Sequence, residues 1–352
     1  MKRFSFILFM SLLLCNAMAQ EGIPMGLVII DSLHVRFNGV RYAFEEDLKS
    51  LYVDVNYNDE TPTKIDIVNK IQIEGKVYPV KRVGARAFYG CRNITSVMIP
   101  SGIEFIDSSA FRWCVNLSNL SISSDIKRIG PDCFRNCSNL RNFHFPSKVQ
   151  VISNGCFRAS GLMSAVIPEG VVEIGSYAFE GCKSLAGVRL PNSLKKIGKE
   201  AFANCWALKN IFIHDQVRSV GEGAFMACRS LEGAIFVKVM DSRIKTIVAA
   251  NAFAECKALK DVICRTGRVG NVKDVIFHED SFAGCNFVVD NIKYETPEGV
   301  NPNASKRKKG DSEFDEDEAT VDVDNAERLR TSKTVERARK DIGVRKNAKK
   351  KK

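Results

Sequence analysis

Apolar positions along most of this chain fall on one fixed spacing. Between Phe179 and Phe202 they are Phe179, Cys182, Leu185, Val188, Leu190, Leu194, Ile197 and Ala201, with mostly polar or small residues between. The Val188-Arg189-Leu190 part alternates with period two, the pattern of a half-buried strand. Pro191 follows; it cannot donate a ladder hydrogen bond and suits a strand end. Gly198 permits a turn or a close backbone approach. The Ala-Phe-x-x-Cys stretch that closes the unit is expected to form a short helical or 3₁₀ turn.

The unit recurs. Its phenylalanines are Phe88, Phe111, Phe134, Phe157, Phe179, Phe202, Phe225, Phe253 and Phe282, separated by 23, 23, 23, 22, 23, 23, 28 and 29 residues. A period of about 20–29 residues with fixed apolar landmarks implies a stacked solenoid. One coil cannot bury its apolar face alone, but stacked coils bury it against each other. The expected fold is an α/β-type solenoid with a mostly β core. Its strands form a parallel sheet with a spacing of ~4.8 Å, in a curved stack roughly 40–45 Å long. The phenylalanines are expected to stack as an internal spine. Such a molecule offers a long surface rather than a pocket, which directs attention to partners.

The template Phe-x-x-Cys-x-x-Leu-x-x-Val-x-Ile-Pro-x-x-Val-x-x-Ile-Gly-x-x-Ala-Phe resembles the BspA-like, Treponema-type leucine-rich repeat of 23 residues. Ile197-Gly198-Lys199-Glu200-Ala201-Phe202-Ala203-Asn204-Cys205 carries the match, which extends over about residues 81–290. The resemblance implies secreted or surface proteins, mostly bacterial, that adhere or bind host proteins, and it implies no catalytic residues. The chain departs from the template in places. Ser160 takes a cysteine position beside a one-residue deletion, and Asp107 and Ser153 replace the glycine. His214, Val237 and Arg265 stand where proline belongs, and the repeats ending at Phe253 and Phe282 carry insertions.

The ends differ from the body. Lys2 and Arg3, a short apolar run from Phe4 to Leu14, and Ala17-Met18-Ala19 follow the plan of a secretory signal peptide over residues 1–19. That run is too short to span a bilayer, and the large Leu14 before Cys15 argues against a lipoprotein anchor. Residues 20–80 read as an N-terminal β-rich cap. Asn38-Gly39 between Val35-Arg36-Phe37 and Val40-Arg41-Tyr42 signals one hairpin, and Ile71 to Val80 a second. The solenoid is expected over 81–295, closed by a cap from Cys285 to Tyr294. Residues 296–352 alternate basic and acidic blocks with few large apolar residues, so a disordered charged tail is expected. Of the formal +11, two charges lie in the first nineteen residues and a net four in residues 297–352, which leaves +5 on the body.

Twelve cysteines in an exported chain would ordinarily indicate disulfides. Here eight of them, from Cys91 to Cys285, lie three residues after a repeat phenylalanine and point inward in register. Parallel side chains give poor disulfide geometry, so they are expected to be free thiols acting as small buried apolar residues. Cys133 and Cys156, each one before its phenylalanine, are the adjacent pair best placed to cross-link. The four histidines are scattered and suggest no metal site. Phosphate-loop, His-Glu-x-x-His and Gly-x-Ser-x-Gly patterns are missing, so neither catalytic residues nor cofactors are expected. Any partner surface should lie on the outward strand positions, where His144, Val166, Arg189, Phe212 and Ile235 form the candidate row. From Val166 onward this row is expected to be exposed and apolar, with Phe212 and Ile235 adjacent. The expected function is a monomeric, exported, non-enzymatic module that binds a protein or surface polymer, its tail contacting anionic polymer. The alternative is a periplasmic or envelope scaffold for other components of the same cell.

Overall fold

A computed structural model of the chain describes residues 26–55, 61–238, 245–266, 274–286 and 291–295. The expected signal peptide, the charged tail and Phe287–Val289 of the expected C-terminal cap lie outside the described residues. The first strands are β1 (Leu27–Ile29), β2 (His34–Phe37), β3 (Val40–Phe44), β4 (Leu51–Val53), β5 (Lys64–Asp66), β6 (Lys70–Ile73) and β7 (Lys76–Val83). The coils then alternate long and short strands. They begin with β8 (Ser96–Ile99), β9 (Phe105–Ile106), β10 (Asn119–Ile122), β11 (Arg128–Ile129) and β12 (Val151–Ile152). Next come β13 (Ser164–Val166), β14 (Glu173–Ile174), β15 (Gly187–Arg189), β16 (Lys196–Ile197), β17 (Asn210–Ile213) and β18 (Ser219–Val220). The series ends with β19 (Gly233–Lys238), β20 (Thr246–Val248), β21 (Asp261–Thr266), β22 (Val275–Phe277) and β23 (Lys293–Glu295).

The coils therefore build two parallel strand lines, one more than the sequence pattern suggested. The long line runs β5-β8-β10, then β13-β15, then β17-β19-β21-β23. The short line, made by the Val-x-x-Ile segment, runs β7-β9-β11 and then β12-β14-β16-β18-β20-β22. The expected single sheet is thus interrupted. Around Arg141–Pro146 no strand forms, because Phe143 and Phe145 fill inward positions that hold Val, Leu, Ile or Ala in the neighbouring coils. Between β15 and β17 the His214 ring crosses the gap, with Nε2 2.9 Å from the Leu190 carbonyl. Where Val237 and Arg265 replace proline, β19 and β21 continue through these positions and pair Val237 with Arg265. Their amides remain available to the ladder, as a proline's would not.

The third side of each coil is the Ala-Phe-x-x-Cys turn, and it is not helical. In the turns from Phe88 to Phe253 the residues two before and two after the phenylalanine have positive φ, as at Glu200 (51°) and Asn204 (59°) around Phe202. This alternation closes tight turns, such as Ala203 N–H to Glu200 O at 3.2 Å. It also aims every second amide at the next coil: Glu200, Phe202 and Asn204 donate to Glu222, Ala224 and Met226 at 2.9, 2.7 and 2.8 Å. A left-handed non-glycine residue costs roughly 1–2 kcal/mol; the inter-coil bond and the burial it permits offset that cost. The glycine of Ile-Gly serves close approach rather than a turn. A Cβ at Gly198 would lie 2.6 Å from Ser176 N and 2.7 Å from Gly175 C, both backbone atoms of the coil before.

The nine repeat phenylalanines form the expected spine. Successive rings lie 5.1–5.6 Å apart with planes within 16° of parallel. Eight of the nine are fully buried, and Phe282 at the C-terminal end is 5% exposed. Neither insertion breaks the stack, since the Phe225–Phe253 and Phe253–Phe282 contacts hold at 5.1 and 5.6 Å.

The N-terminal segment contains both expected hairpins. β2 pairs with β3 around Asn38-Gly39, and β6 with β7 around Glu74-Gly75; all four turn residues have positive φ. The meander joins the short line, because β4 lies parallel to β7 and β7 parallel to β9. β5 aligns with β8 as the later long strands align, so the strand series starts at Lys64. Arg82 ties the segment to the first coil. It donates to Glu45 at 2.6 and 3.1 Å, bonds Asp107, and lies 4.3 Å from the Tyr52 ring. Asp107, which replaces the template glycine, also receives Arg128 at 3.1 Å.

Two substitutions test this account. Phe179→Ala should lower unfolding free energy by about 3–5 kcal/mol, because the cavity lies mid-stack, whereas Phe179→Leu should cost far less. Gly198→Ala should cost about 1–3 kcal/mol although alanine is otherwise the easier residue to order. Urea titrations followed by far-UV circular dichroism measure both.

Candidate functional site

Outward positions on the long strands vary from coil to coil, most of all at Met98, Ser121, His144, Val166, Arg189, Phe212 and Ile235. Asn119, Ser121, Asn142, His144, Ser164, Val166 and Arg189 are all exposed. Val166, on β13, is 59% exposed, and Met98, on β8, 47%. His144 lies on the unpaired Arg141–Pro146 segment. The row expected from Val166 onward is not uniformly open. Phe212, on β17, is only 9% exposed, with its ring 5.0 Å from His214. Ile235, on β19, is half-buried between Phe212 and the buried Ile263. The candidate row therefore splits into an open part, His144, Val166 and Arg189, and a covered part, Phe212 and Ile235. Alternation places all five outward, but only packing decides which of them reach solvent.

Sequence reasoning missed some neighbours. Met163 is 48% exposed, and its sulfur lies 3.9 Å from an Arg141 Nη1 that donates to it. It lies just before β13, the strand on which exposed Val166 pairs with exposed Arg189 of β15. At the corner between turn and strand, Lys183 and Arg229 lie 4.2 and 4.6 Å from the Trp206 ring. The spacing of Phe179, Phe202 and Phe225 already stacks these positions, and only their side-chain types had to be read. Among the described residues, the histidine, cysteine and carboxylate groups near enough to share a metal are the exposed consecutive trio His278, Glu279 and Asp280. His278 Nδ1 there accepts the Asp280 amide at 3.1 Å.

The cysteines are free thiols throughout the described residues, Cys133 and Cys156 included. They are not merely apolar. Seven of the thiols that lie three residues after a repeat phenylalanine, from Cys114 to Cys285, donate to the phenylalanine carbonyl one coil earlier, as with Cys114 to Phe88 at 3.0 Å and Cys205 to Phe179 at 3.2 Å. That carbonyl already accepts a turn amide within its own coil, so the thiol uses its second lone pair. Burial raises their pKa values, for Cys182 to about 12 and for the more open Cys285 to about 11. These buried neutral thiols are structural rather than nucleophilic.

The BspA-type leucine-rich-repeat model matches this chain in six copies across residues 65–185 and 151–288, together more than half its length. The chain belongs to the BspA-type leucine-rich-repeat family. The match begins at Ile65 on β5, where the strand series also begins. Similar solved structures include a leucine-rich-repeat protein from Bacteroides ovatus, 22% identical over 73% of this chain and 77% of that one, TM-score 0.48. The T. pallidum leucine-rich-repeat protein is 25% identical over 63% and 88%, TM-score 0.44. A leucine-rich cell surface protein from Faecalibacterium prausnitzii is 17% identical over 73% and 99%, TM-score 0.34. No curated protein matched. Proteins of this BspA-type family are typically non-enzymatic repeat scaffolds that bind proteins. Among the described residues no helix is long and apolar enough to cross a membrane.

The thiol ladder of this BspA-type chain predicts a pH dependence. Unfolded chain releases thiol protons near the ordinary value of 9.0, while the folded chain retains them. Above that pH the folded state binds more protons, so stability falls as pH rises. It should be complete below about pH 8 and decline from about pH 9, through about 11 for Cys285 and about 12 for Cys182. The urea midpoint should drop between pH 8 and pH 10.5, and by less in Cys182→Val.

Proposed function

We propose that this protein is an exported, non-enzymatic scaffold displayed at the cell surface, where its strand face binds a protein or surface polymer and mediates adhesion. The observation that carries the reading is the division of labour within the repeat. Phenylalanine, cysteine, leucine and isoleucine are used up in the interior, and the outward strand positions, which vary from coil to coil, lie on a partly open face. Val166, Met163 and Arg189 supply exposed apolar and cationic side chains, the composition favoured at interface hot spots. The arrangement of residues 1–19 supports export, and the charged residues 296–352 support an electrostatic tether to anionic polymer. His144, at the N-terminal side of the patch, extends the face; Phe212 and Ile235 contribute only where a partner displaces what covers them.

Protease added to intact cells should cleave the chain. Complete protection would instead favour an envelope scaffold serving the same cell. Beads coated with the purified protein should adhere to host-cell monolayers. Val166→Asp with Arg189→Glu should reduce adhesion at least about tenfold without moving the urea midpoint. Truncation after Glu295 should weaken binding to an anionic polysaccharide column and flatten its salt dependence.

A further inference from the structure

We propose that the joint between the turns at Phe134 and Phe157 is a parting plane. There the repeat stack divides into two cooperative units that open and re-close without global unfolding. Several independent bond series fail at this one joint. The short line stops at β11 and restarts at β12, although the other successive short strands from β7 to β22 pair. The long line stops at β10, since Asn142–Phe145 forms no strand. At Gly130, Gly175, Gly198 and Gly221 an amide donates to an isoleucine carbonyl one coil earlier, at 2.7–2.9 Å. Here it is the Ser153 hydroxyl, not an amide, that bonds Ile129 O.

The thiol series fails too. Cysteines donate from Phe111's turn back to Phe88, from Phe134's to Phe111, and again at the turns from Phe179 to Phe282. At the Phe157 turn the residue is Ser160, whose hydroxyl lies 3.3 Å from Cys182 Sγ, on the far side of the joint. What crosses the joint is mainly the turn ladder. Asp132, Phe134 and Asn136 donate to Asn154, Cys156 and Arg158 at 2.9, 2.8 and 2.8 Å. Ring contacts supplement it: Phe134 stacks on Phe157 at 5.5 Å, and Phe143 touches both at 5.3 and 4.7 Å. By contrast, the Phe179–Phe202 joint has both strand pairings, the glycine amide bond and the thiol bond.

In a solenoid each coil touches only its neighbours, so the joint with the weakest interface sets where the array divides. Local openings of this kind occur at free energies below that of global unfolding. The plane adjoins the coil carrying His144, so opening would alter the spacing between the Ser121 and Val166 parts of the outward face. The inference rests on the bond series and not on the proposed adhesion.

The chain's own thiols report the opening. Cys133 and Cys156 flank the plane, Cys205 and Cys228 flank the Phe202–Phe225 joint, which keeps its short-strand pairing, glycine amide bond and thiol bond, and all four are at most 1% exposed. When native full-length protein is treated with N-ethylmaleimide and mapped by mass spectrometry, Cys133 and Cys156 should react at least about tenfold faster. Restoring the template with Ser160→Cys and Phe143→Val should shrink that ratio. Hydrogen exchange provides a readout on the unaltered chain. The amides of Phe134 and Asn136 should exchange faster than those of Phe179 and Gly181, which are bonded at similar lengths, 2.7–2.8 Å. Equal alkylation rates, an unchanged ratio in the folded repair variant, or equal exchange at the two joints would each overturn the proposal.

Discussion

The structure depends on the turn ribbon and the phenylalanine stack it carries. Left-handed residues on both sides of the phenylalanines from Phe88 to Phe253 point alternate amides toward the next coil. The ring then falls in register under its neighbour, and the cysteine three residues later reaches back to the neighbour's phenylalanine carbonyl. Strand pairing is interrupted twice on the long line and once on the short line. The turn ladder and the ring stack continue through every one of these interruptions. They hold the array together, and the strands build on them where the side chains allow.

This order of dependence explains how the chain tolerates its irregularities. Two insertions fall in sequence between β19 and β20 and between β21 and β22, and the spine continues across both. Substitutions on the strand sides have local effects. Without proline, β19 and β21 lengthen; His214 bridges a gap; the coil that holds Phe143 and Phe145 has no long strand, and its short strand β12 does not pair with the coil before. The division proposed at that coil follows from an accumulation of small changes, each tolerable alone, at a single interface.

Function separates from fold along the same line. Residues that define the family are buried and cannot contact a partner. Outward positions are free to vary and carry whatever specificity the protein has. A repeat scaffold of this kind therefore gains a new partner by changing surface side chains while the interior stays as it is.

Much of this was legible in the residues. The period of 23, the inward set, the two Asn-Gly and Glu-Gly hairpins and the free thiols all follow from spacing, because a side chain's direction in a stacked coil depends on its place in the repeat. Three things were not. The turn is left-handed and right-handed by alternation rather than helical, since every second amide is satisfied by another coil and nothing local reveals that choice. Phe212 and Ile235 point outward as alternation requires, yet they are covered or half-covered, because exposure depends on segments distant in sequence. The joint at Phe134 reads as scattered departures, Ser153, Ser160, Phe143 and a missing residue, until folding brings them onto one plane. Sequence pattern decides the direction of each side chain; which neighbours it meets, and how tightly, is decided only when coils are stacked.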